Sequence, residues 1–449
     1  MLHSPALRIL ALTGALAACS GPQEDISSWA HACHIGSYAM DAGGIIDIGA
    51  SSETHLRWRT LDGRVGRIAA GEDGVWSGTT GWSDLADPAR FELGTCEDGT
   101  IRVTGVEDSD GSGTRLNFTS QDIRFEGDGV ELAGRLVWPE GAESAPLAVL
   151  VHGSEDWSAL DYASLQRILP AQGIAAFVYD KRGTGGSTGS YTQDFDLLAA
   201  DAAAAHATAL DMAGDLIDAS GYLGGSQGGW VAPLAATMSQ PDFVIASFGL
   251  AESPLAEDRE QVQMELREAG YGPDVLAQAL EVTNATGHLL ATDFQEGHEE
   301  LDRVKQAYGD EPWFDEIVGE ITRDMIIRPL WQFRMGYAIL GVSTPWGHEP
   351  VPVLRQVEAP MLWVLAGADR EAPSANTRVI LTDLQAEGRA IDIAFFPDTD
   401  HGIMRFIEDE NGDRQTLGYA DGYLTLLADW IRTGGFDGTY GDAELAARE

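Results

Sequence analysis

The chain has 449 residues, with 28 Lys and Arg against 71 Asp and Glu and a formal net charge of -43. So acidic a balance excludes a nucleic-acid partner and electrostatic docking on anionic lipid, since both need clustered basic side chains. A hydrophobic fraction of 44%, with 12 Trp, 14 Phe and 11 Tyr, excludes intrinsic disorder, and the length suits two or three domains.

The chain begins with a short polar start carrying His3 and Arg8, followed by an apolar run from Ile9 to Ala18. A bilayer-spanning helix needs about 20 apolar residues, so the run reads as the core of a secretory signal. It ends in Leu16, Ala17, Ala18 and Cys19, then Ser20 and Gly21. This resembles the bacterial lipoprotein box. The resemblance implies a signal over residues 1–18, cleavage before Cys19, and lipid on Cys19 at the head of a tether over residues 19–28. The protein would then be extracytoplasmic and meet a membrane only through that lipid, and Ser20 resembles the outer-membrane class. Cys33 and Cys96 remain as an even pair in an oxidising compartment and are expected to form a disulfide. His31 and His34 flank Cys33, but no second Cys/His cluster stands at ligand spacing, so no metal is expected there.

Residues 29–122 are rich in Gly, Asp and Thr, with short runs such as His55 to Arg59, Phe91 to Leu93 and Ile101 to Val106. Runs of this length, punctuated by glycine, predict β-hairpins in a small accessory domain. Asp108, Asp110, Ser112 and Gly113 imitate the start of a calcium loop, but Thr119 stands where the bidentate glutamate belongs, so a solvated turn is expected.

From about Ile123 the texture becomes alternating strands and helices. Strands are predicted at Val130–Val137, Leu147–Val151, Ile174–Tyr179, Gly221–Gly224, Phe243–Phe248, Met361–Ala366 and Ile391–Phe396. Helices are predicted at Leu160–Ala171, Phe195–Met212 and Trp230–Met238. Apolar strands without alternation, separated by helices, imply an α/β fold with a mostly parallel sheet covered on both faces. Residues at about 252–345 carry helical periodicity almost without strands and read as a helical cap inserted into the domain that runs over 123–449.

The pattern Gly-x-Ser-x-Gly occurs twice, around Ser187 and around Ser226. A nucleophile elbow needs a strand entering the turn and a helix leaving directly behind the serine. Ser226 has both, Tyr222 and Leu223 before it and an apolar helical face from Trp230 after it, whereas Ser187 sits in a polar loop. A serine hydroxyl needs a histidine base and a carboxylate that orients it. Beyond the cap only His348 and His401 remain, and His401 follows the last predicted strand, where the base belongs. Asp369, just past Met361–Ala366, is the candidate acid, with Glu371 as its neighbouring alternative; Asp398 and Asp400 read as loop carboxylates. Two backbone N–H groups should stabilise the oxyanion, from Gln227 and from Ser154 in the loop after Leu147–Val151. His152 reads as a structural residue of that loop.

Together, His152-Gly153-Ser154, Asp180 to Ser187, Gly224 to Gly229, Asp369 and Asp400-His401-Gly402 resemble the α/β-hydrolase superfamily over about Ile123 to Arg432. The likeness is to its bacterial serine esterases of the dienelactone-hydrolase-like and acyl-peptidase-like branches. A serine nucleophile departs from the aspartate-nucleophile dehalogenases and from the cysteine-nucleophile dienelactone hydrolases. The resemblance implies a carboxylesterase-like serine hydrolase acting on a small-molecule ester, without metal or organic cofactor, and an Asp180 to Ser187 loop that braces the site. Trp313, Phe314 and Trp331 are candidates to shape the pocket or to pack the cap. An aminopeptidase or thioesterase with the same triad remains an alternative, Glu155 and Asp156 being the carboxylates that could hold an amine. So does a non-catalytic surface lipoprotein on a hydrolase fold.

Overall fold

The computed structural model describes residues 26–332, 334 and 344–448. The predicted signal, Cys19 and most of the tether lie outside the described residues. The chain forms two compact bodies, one of Ile26–Ser190, Phe195–Ser253 and the segment from His348 onward, the other of Tyr191–Asp194 and Pro254–Gly347.

The first body opens with a closed antiparallel barrel of eight strands. These are β1 (Gly36–Met40), β2 (Ile45–Ser52), β3 (His55–Thr60) and β4 (Val65–Ala70), then β5 (Trp76–Thr80), β6 (Arg90–Leu93), β7 (Thr100–Thr104) and β8 (Gly111–Arg115). Alternation turns Ile46, Ile48, Leu56, Trp58, Ile101 and Val103 into one apolar interior, as the two-residue period of a strand requires. Closure pairs β1 with β8, Tyr38 opposite Arg115. Cys33 and Cys96 are joined by a disulfide, Cα atoms 5.5 Å apart, so neither sulfur is left as a thiolate for His34 to share with a metal. Of the calcium-like stretch, Asp108 and Asp110 lie in the turn between β7 and β8, where Asp110 accepts the Val106 N–H at 2.8 Å, while Ser112 and Gly113 belong to β8.

A nine-stranded sheet follows, made of β9 (Thr119–Glu126), β10 (Glu131–Trp138), β11 (Ala145–Val151), β12 (Ala175–Tyr179), β13 (Ile217–Gly225), β14 (Phe243–Ser247), β15 (Met361–Ala366), β16 (Ile391–Phe396) and, later in the chain, the edge strand Glu444–Ala446. The central strands β12, β11, β13, β14, β15 and β16 pair in parallel. Every residue of β12, β14 and β15 is buried, because both faces are covered. In β11, Leu147, Val149 and Val151 join the core shared with the helices Phe195–Ala213 and Gly228–Met238. Ala148 and Leu150 turn to the opposite core, which holds Trp430 and its helix Tyr423–Thr433.

The expected helix Leu160–Ala171 is broken into α1 (Ala159–Tyr162), α2 (Leu165–Ile168) and a 3₁₀ turn at Pro170–Gln172. Gln166 explains the break. Its side-chain amide donates to the Leu160 and Ala163 carbonyls at 3.1 and 2.8 Å, acceptors that a continuous helix would give to backbone N–H groups.

A hairpin not foreseen in the sequence, β17 (Met404–Glu408) with β18 (Arg414–Tyr419), follows the His401 loop and reaches the barrel. The Tyr419 N–H donates to Gly63 O at 2.8 Å, and the Trp82 N–H to Thr416 O at 2.8 Å. A second link is ionic: Arg167 donates to both oxygens of the buried Asp47 at 2.7 and 2.9 Å.

The second body packs the helices Pro254–Glu268, Pro273–Ala291, His298–Tyr308 and Thr322–Ile327 around a core of its own. Trp313 and Phe314 belong to that core, 2% and 7% exposed, so they serve packing; Trp331 is exposed. Asp258 is buried within this body and caps the last helix, accepting the Thr322 hydroxyl at 2.6 Å and the Ile321 and Thr322 N–H groups at 2.8 and 3.0 Å.

Candidate active site

β13 ends at Gly225 and the helix α4 (Gly228–Met238; α3 being Phe195–Ala213) starts after only two intervening residues, which puts Ser226 on a sharp turn between them. Its φ of 53° is in the left-handed region that a residue with a side chain rarely adopts. The turn is held by the Ser226 N–H donating to Ser247 O at 3.0 Å and the Gly229 N–H donating to Ser226 O at 2.7 Å. Packing dictates the small residue behind the serine. A Cβ on Gly228 would stand 2.4 Å from the carbonyl oxygen of Val151, a backbone atom that cannot step aside.

His401 Nε2 lies 3.1 Å from Ser226 Oγ, and its Nδ1 lies 2.9 Å from Asp369 Oδ2. With Nδ1–H donating to the carboxylate, Nε2 is left to accept the serine proton. Asp369 is 2% exposed, and its other oxygen accepts the N–H groups of Glu371 and Ala372 at 2.9 and 2.7 Å. The alternative acid, Glu371, has an exposed carboxylate 3.7 Å from Nε2, on the side facing the serine and not on Nδ1. Asp400 fixes the loop that carries the histidine. One of its oxygens accepts the N–H groups of His401 and Arg370 at 2.9 and 3.0 Å, and the other is ion-paired with Arg414 of β18 at 2.8 Å. Sequence reasoning missed Arg414, because nothing local marks a polar hairpin as the support of a distant loop. The Phe248 ring stands edge-on to the imidazole, centroids 5.1 Å apart.

The loop after β11 lies against the nucleophile, since a Cβ on Gly153 would be 3.2 Å from Ser226 Cβ. His152 is turned away, bonded through Nε2 to Tyr179 O at 2.9 Å, and burial pushes its pKa down, so it stays neutral. Lys181 Nζ donates to Gly153 O at 2.6 Å; burial lowers this ammonium to about 8. Ser154 is exposed in the same loop, and Gln227 is the buried N-cap of α4, where backbone N–H groups and the helix dipole favour negative charge.

The Asp180 to Ser187 loop is knitted to its surroundings. Asp180 accepts the Ser158 hydroxyl at 2.8 Å and the Gly186 N–H at 2.7 Å. Ser187 donates to Asp180 O at 2.6 Å while accepting the Ala133 N–H at 2.9 Å. Arg182 closes a buried fork on Asp201 of α3 at 2.7 and 2.8 Å. His348, the other late histidine, packs edge-on to Phe195, centroids 5.3 Å apart.

Residues 148–413 match the model of the alpha/beta hydrolase family. No curated protein matches the chain. Among solved structures, an esterase of Pyrococcus furiosus is similar at 12% identity and a TM-score of 0.39, over 64% of this chain and 85% of that one. An acylaminoacyl peptidase of Pyrococcus horikoshii is similar at 17% identity and a TM-score of 0.43, over 89% of this chain and 57% of that one. An esterase of Pyrobaculum calidifontis is similar at 17% identity and a TM-score of 0.38, over 64% of this chain and 77% of that one. The matched stretch holds the strands and loops that bring Ser226, Asp369 and His401 together, and the chain belongs to the alpha/beta hydrolase family.

Proposed function

We propose that the protein is a serine hydrolase that cleaves carboxylic esters through an acyl-enzyme. The observation that carries this reading is the unbroken hydrogen-bond chain from Ser226 Oγ through His401 to the buried Asp369. Ser226 Oγ attacks the ester carbonyl while His401 Nε2 takes its proton. The negative charge that develops on the carbonyl oxygen is met by the N–H groups of Ser154 and Gln227, donors of a kind worth about 10²–10³ each in rate. His401 then protonates the departing alcohol, leaving the acyl group on Ser226. A water molecule, deprotonated by the same nitrogen, attacks the acyl carbon and releases the acid and the free serine. Asp369 keeps the imidazole in the tautomer this exchange needs. The test is turnover of p-nitrophenyl acetate and butyrate, with fluorophosphonate labelling of the serine. Ser226→Ala should abolish both, and undiminished turnover in that variant would overturn the reading.

The reading extends to location: a lipid-anchored extracytoplasmic protein held through Cys19. The disulfide between Cys33 and Cys96 supports it, since such bonds persist in oxidising compartments. Replacing residues 1–19 with a secretory signal that is cleaved without lipidation should release the protein from membranes into the soluble fraction. Continued membrane association of that variant would count against the anchor.

A further inference from the structure

A cavity of about 680 Å³ opens between the outer face of barrel strand β3 and the catalytic face of the sheet. Arg57, Arg59 and Trp82 line it on the barrel side, and Gly153, Phe248 and Gly402 on the other. The second set ties the cavity to the reaction centre: Gly153 abuts Ser226, Phe248 packs on His401, and Gly402 follows that histidine.

The barrel wall is cationic for a structural reason. Along β3, Leu56 and Trp58 point into the barrel interior, so the intervening Arg57 and Arg59 emerge together on the outer face. Asp47 stands directly opposite Arg59 on β2, but it is already committed. Its oxygens accept both arms of the Arg167 fork and the Ser37 hydroxyl at 3.1 Å, while Arg59 Nη1 comes no nearer than 3.6 Å. The Arg59 side chain is 9% exposed, and its Nε and Nη1 are buried without a hydrogen-bond partner. Arg57 spends Nη1 on Gly81 O at 2.7 Å and lies 4.1 Å over the Trp82 ring. Burial, with Arg59 and Arg67 close by, lowers Arg57 to about 10, so it still carries its charge at neutral pH. Glu155 also lines the cavity; its charge acts on Lys181 and His152 and its Oε2 is buried without a hydrogen-bond partner, so an anion must bind on the side of the barrel arginines. Arg167 and Arg59 thus share one carboxylate, in a protein with only 28 Lys and Arg, and a buried guanidinium with unused donors is costly unless an anion completes it.

We propose that this cavity receives an anionic group, a carboxylate or a phosphate, carried by the ester substrate and held by Arg59 with Arg57; the substrate part of the proposal rests on the esterase reading above. The chain as a whole, at a formal -43, repels anions at long range, so selectivity for a charged ester must come from local donors of this kind.

Two measurements test it. Calorimetric titration with adipate and with inorganic phosphate should show binding of at least one, weakened about 10- to 100-fold by Arg59→Gln or Arg57→Gln and unchanged by Arg102→Gln on the exposed face of β7. Tighter adipate assigns a carboxylate, tighter phosphate a phosphate. Binding of neither anion, or equal binding to wild type and both cavity variants with native circular dichroism, would overturn the proposal. In turnover, the ratio of kcat/KM for mono-p-nitrophenyl adipate over p-nitrophenyl hexanoate should fall by a similar factor in Arg59→Gln. Anion binding without turnover of either ester would reject the esterase reading and leave the pocket standing.

Discussion

Ser187 and Ser226 occupy the same five-residue pattern and meet opposite fates. Ser226 is held at a φ of 53° with its hydroxyl 3.1 Å from an imidazole nitrogen, its backbone groups alone securing the turn. Ser187 spends its hydroxyl twice, donating to Asp180 O and accepting from Ala133 N. A hydroxyl whose proton and lone pair already bind the main chain has nothing to offer a substrate. What separates nucleophile from brace is therefore where the hydroxyl's hydrogen bonds go, and not the glycines around it.

That contrast can be pressed from either side. The largest effect should come from Ser226→Ala, which should lower kcat by about 10⁴- to 10⁶-fold while leaving the thermal midpoint near wild type, read by ester turnover and calorimetry. Next is Asp201→Ala. It takes the carboxylate away from the buried Arg182 guanidinium, whose side chain is 8% exposed, and removes the acceptor of the Asp128 N–H, and should cost about 3–5 kcal/mol in denaturant-measured stability, with activity per folded molecule retained. The smallest is Ser187→Ala, expected to lose about 1–2 kcal/mol of stability by stranding the Ala133 N–H, again with turnover kept. A Ser187→Ala variant as inactive as Ser226→Ala would erase the distinction between the two serines.

Much of the sheet was legible. Met361–Ala366 is a continuous apolar run and Ile391–Phe396 an apolar run broken only by Asp392, and both are strands end to end. Asp369 and His401 were legible for the same reason, each standing just past such a run. The broken helix was not, because Gln166 competes for carbonyls through its side chain, and no periodicity records that. Barrel closure was equally hidden. It depends on β1 meeting β8 across some 70 residues, and strand pairing at that range leaves no local signal.

The hairpin that follows His401 limits how modular the protein is. Its β18 strand is bonded to Gly63 and Trp82 of the barrel at one end and, through Arg414, to Asp400 at the other. An accessory domain joined in this way is not a detachable passenger, because the loop that presents the His401 imidazole rests on it. Any attempt to trim the enzyme to its sheet and helices, or to graft a different barrel onto it, would have to supply a new abutment for that loop.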